Sequence, residues 1–134
     1  MESQAATMLS AVLCSAGMMD EGPSDLTQLL KGVLDLAVLA VLAERDSYGY
    51  DVVRRLREKG LNGLGDASVY GTLRRLHQAG ALASYTVPSA EGPHRRYYCL
   101  TDGGRVRMAR AASAWFAVSR ALGGLLDGRK DIHR

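Results

Sequence analysis

The apolar pattern changes period at Gly80, and that change constrains the fold more than any other feature of the chain. Ahead of it, Val69, Leu73 and Leu76 recur at spacings of four and three, so they share one stripe of a helix that Asp66 is placed to cap. Beyond it, Leu82, Ser84 and Thr86 alternate with Ala83, Tyr85 and Val87, which is the period of a strand. Pro88-Ser-Ala-Glu-Gly-Pro93 is dense in turn formers, and Arg95-Arg-Tyr-Tyr-Cys-Leu100 reads as the returning strand of a hairpin.

The flanking elements follow from the same rules. An apolar run from Leu26 to Leu42 must be buried on most sides, and with Lys31 and Asp35 inside it reads as the central helix of a compact domain, being short for a membrane span. Asp46-Ser47 is a candidate N-cap pair for a helix that carries Asp51 in its first turn and stops at Gly60. Leu61 to Gly65 is a glycine-rich turn leading into the helix at Asp66, which Gly80 ends. Thr101-Asp102 caps a last helix reaching about Leu126. Along it Met108, Ala111, Trp115, Val118, Leu122 and Leu125 recur by three and four, a seam that implies a partner helix. The predicted class is mainly α with a small β-hairpin.

With 134 residues, 47% hydrophobic and 23% charged, the chain has the profile of one globular domain. Its formal charge of +3 conceals an asymmetry, because Met1 to Asp25 holds four acids and no Lys or Arg. The remainder carries 17 basic against 10 acidic residues, or +7, a balance that attracts polyanions. The leader over 1–25 is expected to be a loose helix or disordered; it lacks the positive start of a secretory signal. Cys14 and Cys99 make neither a disulfide framework nor a zinc pattern, and with His77, His94 and His133 they share no ligand spacing. No metal or cofactor is expected, and a reducing cytoplasm is the expected location. Without a Gly-rich phosphate loop, paired carboxylates, a nucleophile elbow or clustered His, an enzymatic role is not expected.

The outer stripe of the 66–78 helix holds Ala67, Gly71, Arg74 and Gln78, with Ser68, Tyr70 and Arg75 on its flanks. Small residues let a backbone sink into a groove, and the polar ones suit bases and phosphates. Arg74 and Gln78, beside Gly71, are the base-reading candidates. Ser68, Tyr70 and Arg75 are phosphate candidates, as are Tyr48 and Tyr50 at a helix N-terminus. His94, Arg95 and Arg96 on the hairpin suit the minor groove or its phosphates. Each has a plainer reading: a solvated arginine face, tyrosines that pack, a surface histidine. Alternation places Tyr97 and Tyr98 on opposite faces, so at least one is structural.

The order helix, helix, turn, helix, hairpin, long helix is that of a winged helix-turn-helix with an appended dimerisation helix. Four motifs carry a closer resemblance: Leu29-Leu30-Lys-Gly-Val-Leu-Asp-Leu36, Ser47-Tyr-Gly-Tyr-Asp51, Ser68-Val-Tyr-Gly-Thr-Leu-Arg-Arg-Leu76 and Arg95-Arg-Tyr-Tyr-x-Leu-Thr-x-x-Gly104. In this order and spacing they resemble PadR-type transcriptional regulators of the short subfamily with a single C-terminal helix, over roughly 26–126. Gly71 stands where these proteins often carry Pro.

The resemblance divides the chain into the leader 1–25, a DNA-binding domain 26–101, a dimerisation helix 102–126 and a tail 127–134. It implies a homodimeric repressor of an inverted-repeat operator in double-stranded DNA, released by a small-molecule effector or other signal, with no membrane partner. It also implies that Trp115, with Phe116 beside it, borders an effector cavity between subunits; the competing reading is that Trp115 simply anchors the seam. The alternative from another class is a winged-helix module that docks a protein and ignores DNA. Such a surface would favour exposed apolar anchors over Gly71, Arg74, Arg75 and the hairpin arginines.

Overall fold

The computed structural model describes Leu29, Leu30 and residues 33–128. The readings made on the leader 1–25, Lys31, Cys14, His133 and the tail beyond Gly128 lie outside the described residues. The elements are α1 (Leu34–Glu44), β1 (Ser47–Tyr48), α2 (Gly49–Glu58), α3 (Asp66–Gln78), β2 (Leu82–Val87), β3 (Arg95–Leu100) and α4 (Asp102–Asp127).

Helix α1 is the centre of the domain. Its Leu34, Val38, Leu39, Val41 and Leu42 are buried, and it packs against α2, α3, β3 and α4. The apolar run is not one regular helix: Leu29 and Leu30 are helical, and α1 then starts at Leu34 behind a turn residue, Val33, at φ −120° and ψ 5°. Val52, Val53 and Leu56 of α2, Val69, Leu73 and Leu76 of α3, and Ala81 and Leu82 complete the core. The predicted stripe of α3 is fully enclosed, with all three residues at 0% exposure.

Both stops of α2 and α3 are built the same way. Gly60 and Gly80 have φ of 99° and 84°, in the left-handed region open to glycine. In α3 the Gly80 amide donates to the His77 carbonyl at 3.1 Å and the Ala81 amide to that of Leu76 at 2.9 Å; Gly60 and Leu61 repeat the pattern on Arg57 and Leu56, both at 3.0 Å. These paired bonds satisfy carbonyls that a helix end would leave open.

The sheet is three-stranded, in the order β1-β3-β2, with both pairings antiparallel. Strand β1 is an addition to the expected hairpin. Ser47 pairs with Tyr98 and Tyr48 with Tyr97, so the Asp46-Ser47 segment is not a helix cap, and Tyr48 occupies the N-cap position of α2 instead. Nor does Asp66 cap α3: it is the first helical residue, behind Gly65. The reason at Ser47 is that its hydroxyl is engaged elsewhere, accepting from the Arg55 guanidinium at 2.6 Å.

Thr101 does cap α4, its Oγ1 accepting from the Gly104 amide at 3.0 Å. The same hydroxyl donates towards the carbonyls of Gly80 at 2.7 Å and Ala81 at 3.0 Å, tying the start of α4 to the end of α3. Gly104 is buried here, and a methyl group on it would meet the Ala81 carbonyl oxygen, with Leu100 Cδ1 at 2.9 Å. Backbone cannot yield as a side chain does, so Gly104→Ala is expected to cost about 2 kcal/mol of stability, within the range for overpacking. Thermal denaturation checks this; an unchanged midpoint would contradict it.

Candidate nucleic-acid interface

Helix α3 presents two faces of opposite character because its inner stripe is consumed by the core. Ala67, Ser68, Arg74, Arg75 and Gln78 are exposed, Gly71 is half-exposed, and Tyr70 is 39% exposed. Among the described residues, Arg74 and Gln78 make no hydrogen bond or ion pair, so both side chains are available to a ligand. Burial, and then the nearby Asp66 carboxylate, push the Tyr70 hydroxyl above its ordinary value, keeping it a neutral donor. Its ring lies against Gly49, in the space a Cβ there would need. Tyr70 therefore braces α3 on the start of α2 as well as showing an edge to solvent.

Arg75 is placed differently from Arg74. Its Nη1 and Nη2 donate to the two carboxylate oxygens of Asp35, both at 3.2 Å, and Nη2 also lies 3.2 Å from Thr72 Oγ1. Of the two adjacent arginines, one is free among the described residues and the other is held by α1.

The sheet sorts its aromatics by face. The cross-strand row Tyr48, Tyr97, Tyr85 forms a ladder: Tyr48 and Tyr97 centroids are 5.4 Å apart, and Tyr97 and Tyr85 stack at 5.7 Å. The Arg95 guanidinium lies 4.5 Å over the Tyr48 ring, a cation on an aromatic face. Tyr85 donates to Asp46 at 2.6 Å, and that bond pushes its hydroxyl up to about 12. The opposite row holds Ser47, Tyr98 and Ser84. Tyr98 packs on the core and makes an edge contact with His77, which in turn lies 3.3 Å from Ser84 Oγ. Tyr98 is thus the structural member of the pair and Tyr97 belongs to the outer ladder. Tyr50 is 60% exposed beside Tyr48, and His94, Arg95 and Arg96 are exposed on the wing.

Beneath this surface lies a polar network that sequence patterning missed. Arg55 is 6% exposed and donates to Ser47 Oγ, to the Val41 carbonyl at 3.0 Å and to Glu44 at 2.7 Å. Asp51, also buried, accepts from Arg45 at 3.0 Å and from Arg54. Burial raises the Asp51 carboxyl, but bonds from Ser47, Arg54 and Arg45 outweigh it and hold the group below its ordinary value. The network welds α1, β1 and α2 together behind Tyr48 and Tyr50. Only the N-terminal placement of Asp51 was legible in sequence.

The far end of the molecule is apolar and open. Trp115, Val118, Leu122 and Leu125 of α4 are 44, 52, 49 and 74% exposed. With Leu29, Val33 and Leu36, the first three of these border a groove of about 690 Å³ whose charged end is formed by Asp35, Arg75 and Arg107. Of the other two seam residues, Met108 packs on the chain's own core, because the first turns of α4 lie against α1, and the half-buried Ala111 lines the groove beside Trp115. Phe116, 61% exposed, does not line this groove, since its neighbour Trp115 points into it and successive helix residues diverge. Among the described residues no cluster of three or more His, Cys, Asp or Glu side chains could hold a metal ion, and no helix is long and apolar enough to cross a membrane.

Comparison with known proteins agrees with this architecture. The model of the transcriptional regulator PadR-like family matches residues 38–110. A PadR-like transcriptional regulator from Bacillus cereus superposes with a TM-score of 0.69 at 30% identity, covering 76% of this chain and 99% of that one. A Streptococcus transcriptional regulator gives 0.66 at 33% identity, covering 74% and 97%. A PadR family regulator from Eggerthella lenta gives 0.68 at 30% identity, covering 76% and 88%. Matched over more than half its length from within α1 into α4, and sharing the winged-helix fold of these structures, the chain belongs to the PadR-like family of transcriptional regulators.

Proposed function

We propose that the protein is a homodimeric repressor that reads an inverted-repeat operator through α3, and that a small molecule reaching the α4 groove releases it. The observation that carries the DNA half is the outer stripe of α3, where Arg74 and Gln78 stand exposed among small residues with the arginine-bearing wing nearby. The stripe itself carries none of the large apolar anchors a protein-docking helix needs, the nearest being the partly exposed Tyr70 on its flank. In a two-fold dimer the two α3 helices would enter successive major grooves about 34 to 36 Å apart, which fixes the half-site spacing.

Within this reading Arg74 and Gln78 contact base edges, with Gly71 allowing close approach. Ser68, Tyr70, Tyr48 and Tyr50 contact phosphates, and His94, Arg95 and Arg96 track the adjacent minor groove. Residues 26–101 form the DNA-binding unit and α4 the dimerisation element, its exposed apolar seam closing against a second copy. Trp115 both closes the dimer and faces the effector. The protein works in the cytoplasm, and it carries out no chemistry on its ligand.

The two arginine classes separate experimentally. Arg74→Ala is expected to weaken operator binding by about 2 kcal/mol and to relax preference at one base pair per half-site. Arg95→Ala should weaken operator and random duplex alike, with a salt dependence shallower by about one counterion per protomer. Binding isotherms on operator, point-substituted operator and random duplex measure both; equal, sequence-blind losses from the two changes would contradict the assignment of α3 as the reading element.

A further inference from the structure

The Asp35 carboxylate, with the Arg75 guanidinium it holds, borders both the α3 surface and the α4 groove. On one side it shares the cleft between α1 and α3 with Ala67, Ser68 and Gly71, the exposed stripe of α3. On the other it stands at the charged end of the α4 groove with Trp115 and Val118. It is shared by two arginines from different helices: Arg75 of α3 grips both oxygens at 3.2 Å, and Arg107 of α4 approaches Oδ2 at 3.5 Å. Its side chain is 35% exposed, so the carboxylate is neither buried nor freely solvated.

We propose that Asp35 is a restraint on DNA affinity: it holds Arg75 back from the phosphates, and Arg107 in the groove wall governs how firmly it does so. The inference rests on the DNA-binding reading above. A guanidinium whose two donors face a carboxylate cannot present the same fork to a phosphate, so binding DNA with Arg75 requires breaking that pair. The carboxylate itself adds a like charge next to the path of the DNA backbone. Arg107 competes for the same carboxylate from the effector side. A ligand that engages Arg107 leaves Asp35 wholly to Arg75 and lowers DNA affinity, whereas one that engages Asp35 releases Arg75 and raises it. The effect of a groove ligand on DNA therefore follows from its charge.

Asp35 is a positioning residue, and the test uses readouts that a merely structural role would not move. Asp35→Asn keeps the shape and removes the charge. In the full-length protein it is expected to raise affinity for operator and random duplex about tenfold, and to steepen the salt dependence by about one counterion per protomer. Arg107→Gln should lower affinity about threefold in the native background and have no effect alongside Asp35→Asn. The gain from Asp35→Asn should largely vanish in an Arg75→Gln background. If it persists there in full, the carboxylate acts only as a repelling charge and the restraint is refuted. Native operator binding with an unchanged Asp35→Asn variant would also overturn the restraint while leaving the regulator reading intact. Absence of DNA binding by the unmodified protein would overturn the regulator reading, and the restraint with it.

Discussion

Leu122→Asp is expected to convert a dimer into a monomer and to weaken operator binding about a hundredfold or more, because two linked half-site contacts become two independent ones. Leu122 lies between Val118 and Leu125 on the exposed stripe of α4, at the wall of the groove, and its own subunit covers only half of it. Closing that stripe against a second copy removes apolar surface from water at a rate of about 25 cal/mol per Å², and a carboxylate at its centre would have to be desolvated without a partner. Sedimentation velocity reads the assembly state and a binding isotherm the affinity. A variant that stays dimeric would remove the α4 seam from the account. Val106→Asp provides the comparison, since Val106 is 52% exposed outside the predicted seam.

Arg55→Met is expected to lose about 3 kcal/mol of stability, and with it roughly 15 °C of thermal midpoint for a domain of this size. The methionine retains the apolar stem but leaves Ser47 Oγ and the Val41 carbonyl without the donor that satisfies them now. The loss is large because both acceptors sit where water does not replace the guanidinium, and because Ser47 passes the polarity on to the buried Asp51 carboxylate. Arg54→Met supplies the contrast: Arg54 is half-exposed and binds the same Asp51 from the solvent side, so its removal should shift the midpoint far less. Equal shifts from the two substitutions would show that burial of Arg55 is not what gives its bonds their weight.

The sequence was most legible where one period ran unbroken. The stripe Val69, Leu73, Leu76, the alternation of β2 and β3, and the stops at Gly60 and Gly80 each follow from local chemistry, and each appears where the spacing places it. Strand β1 was not legible, since two residues carry no period and its existence depends on Tyr97 and Tyr98, some fifty positions away. The same distance hid the polar partners. Arg55 carried no signal of its own and Arg75 read as a phosphate candidate; only the packing of α1 against α2 and α3 brings Glu44 and Ser47 to one and Asp35 to the other. Helical spacing put Arg74 on the outer stripe and Arg75 on its flank, but it did not show that the first stands open and the second is held by Asp35.

The seam of α4 shows the converse difficulty. Recurrence by three and four identifies an apolar stripe but not what covers each part of it. Met108 packs on the chain's own core, whereas Trp115, Val118, Leu122 and Leu125 are left exposed. The boundary falls where α4 leaves α1, a property of helix length and angle that no local pattern encodes.

The central claim is that the outer face of α3 reads a specific duplex as part of a two-fold dimer. The direct measurement is binding of the purified protein to duplex DNA from immediately upstream of its own gene, against random duplex, across a salt series with footprinting. The account predicts a specificity ratio of about a thousandfold or greater, two protected half-sites one helical turn or a multiple apart, and an affinity falling steeply with salt. Weak, sequence-blind binding, or none, would contradict it, and none at all would return the exposed face of α3 to the protein-docking alternative.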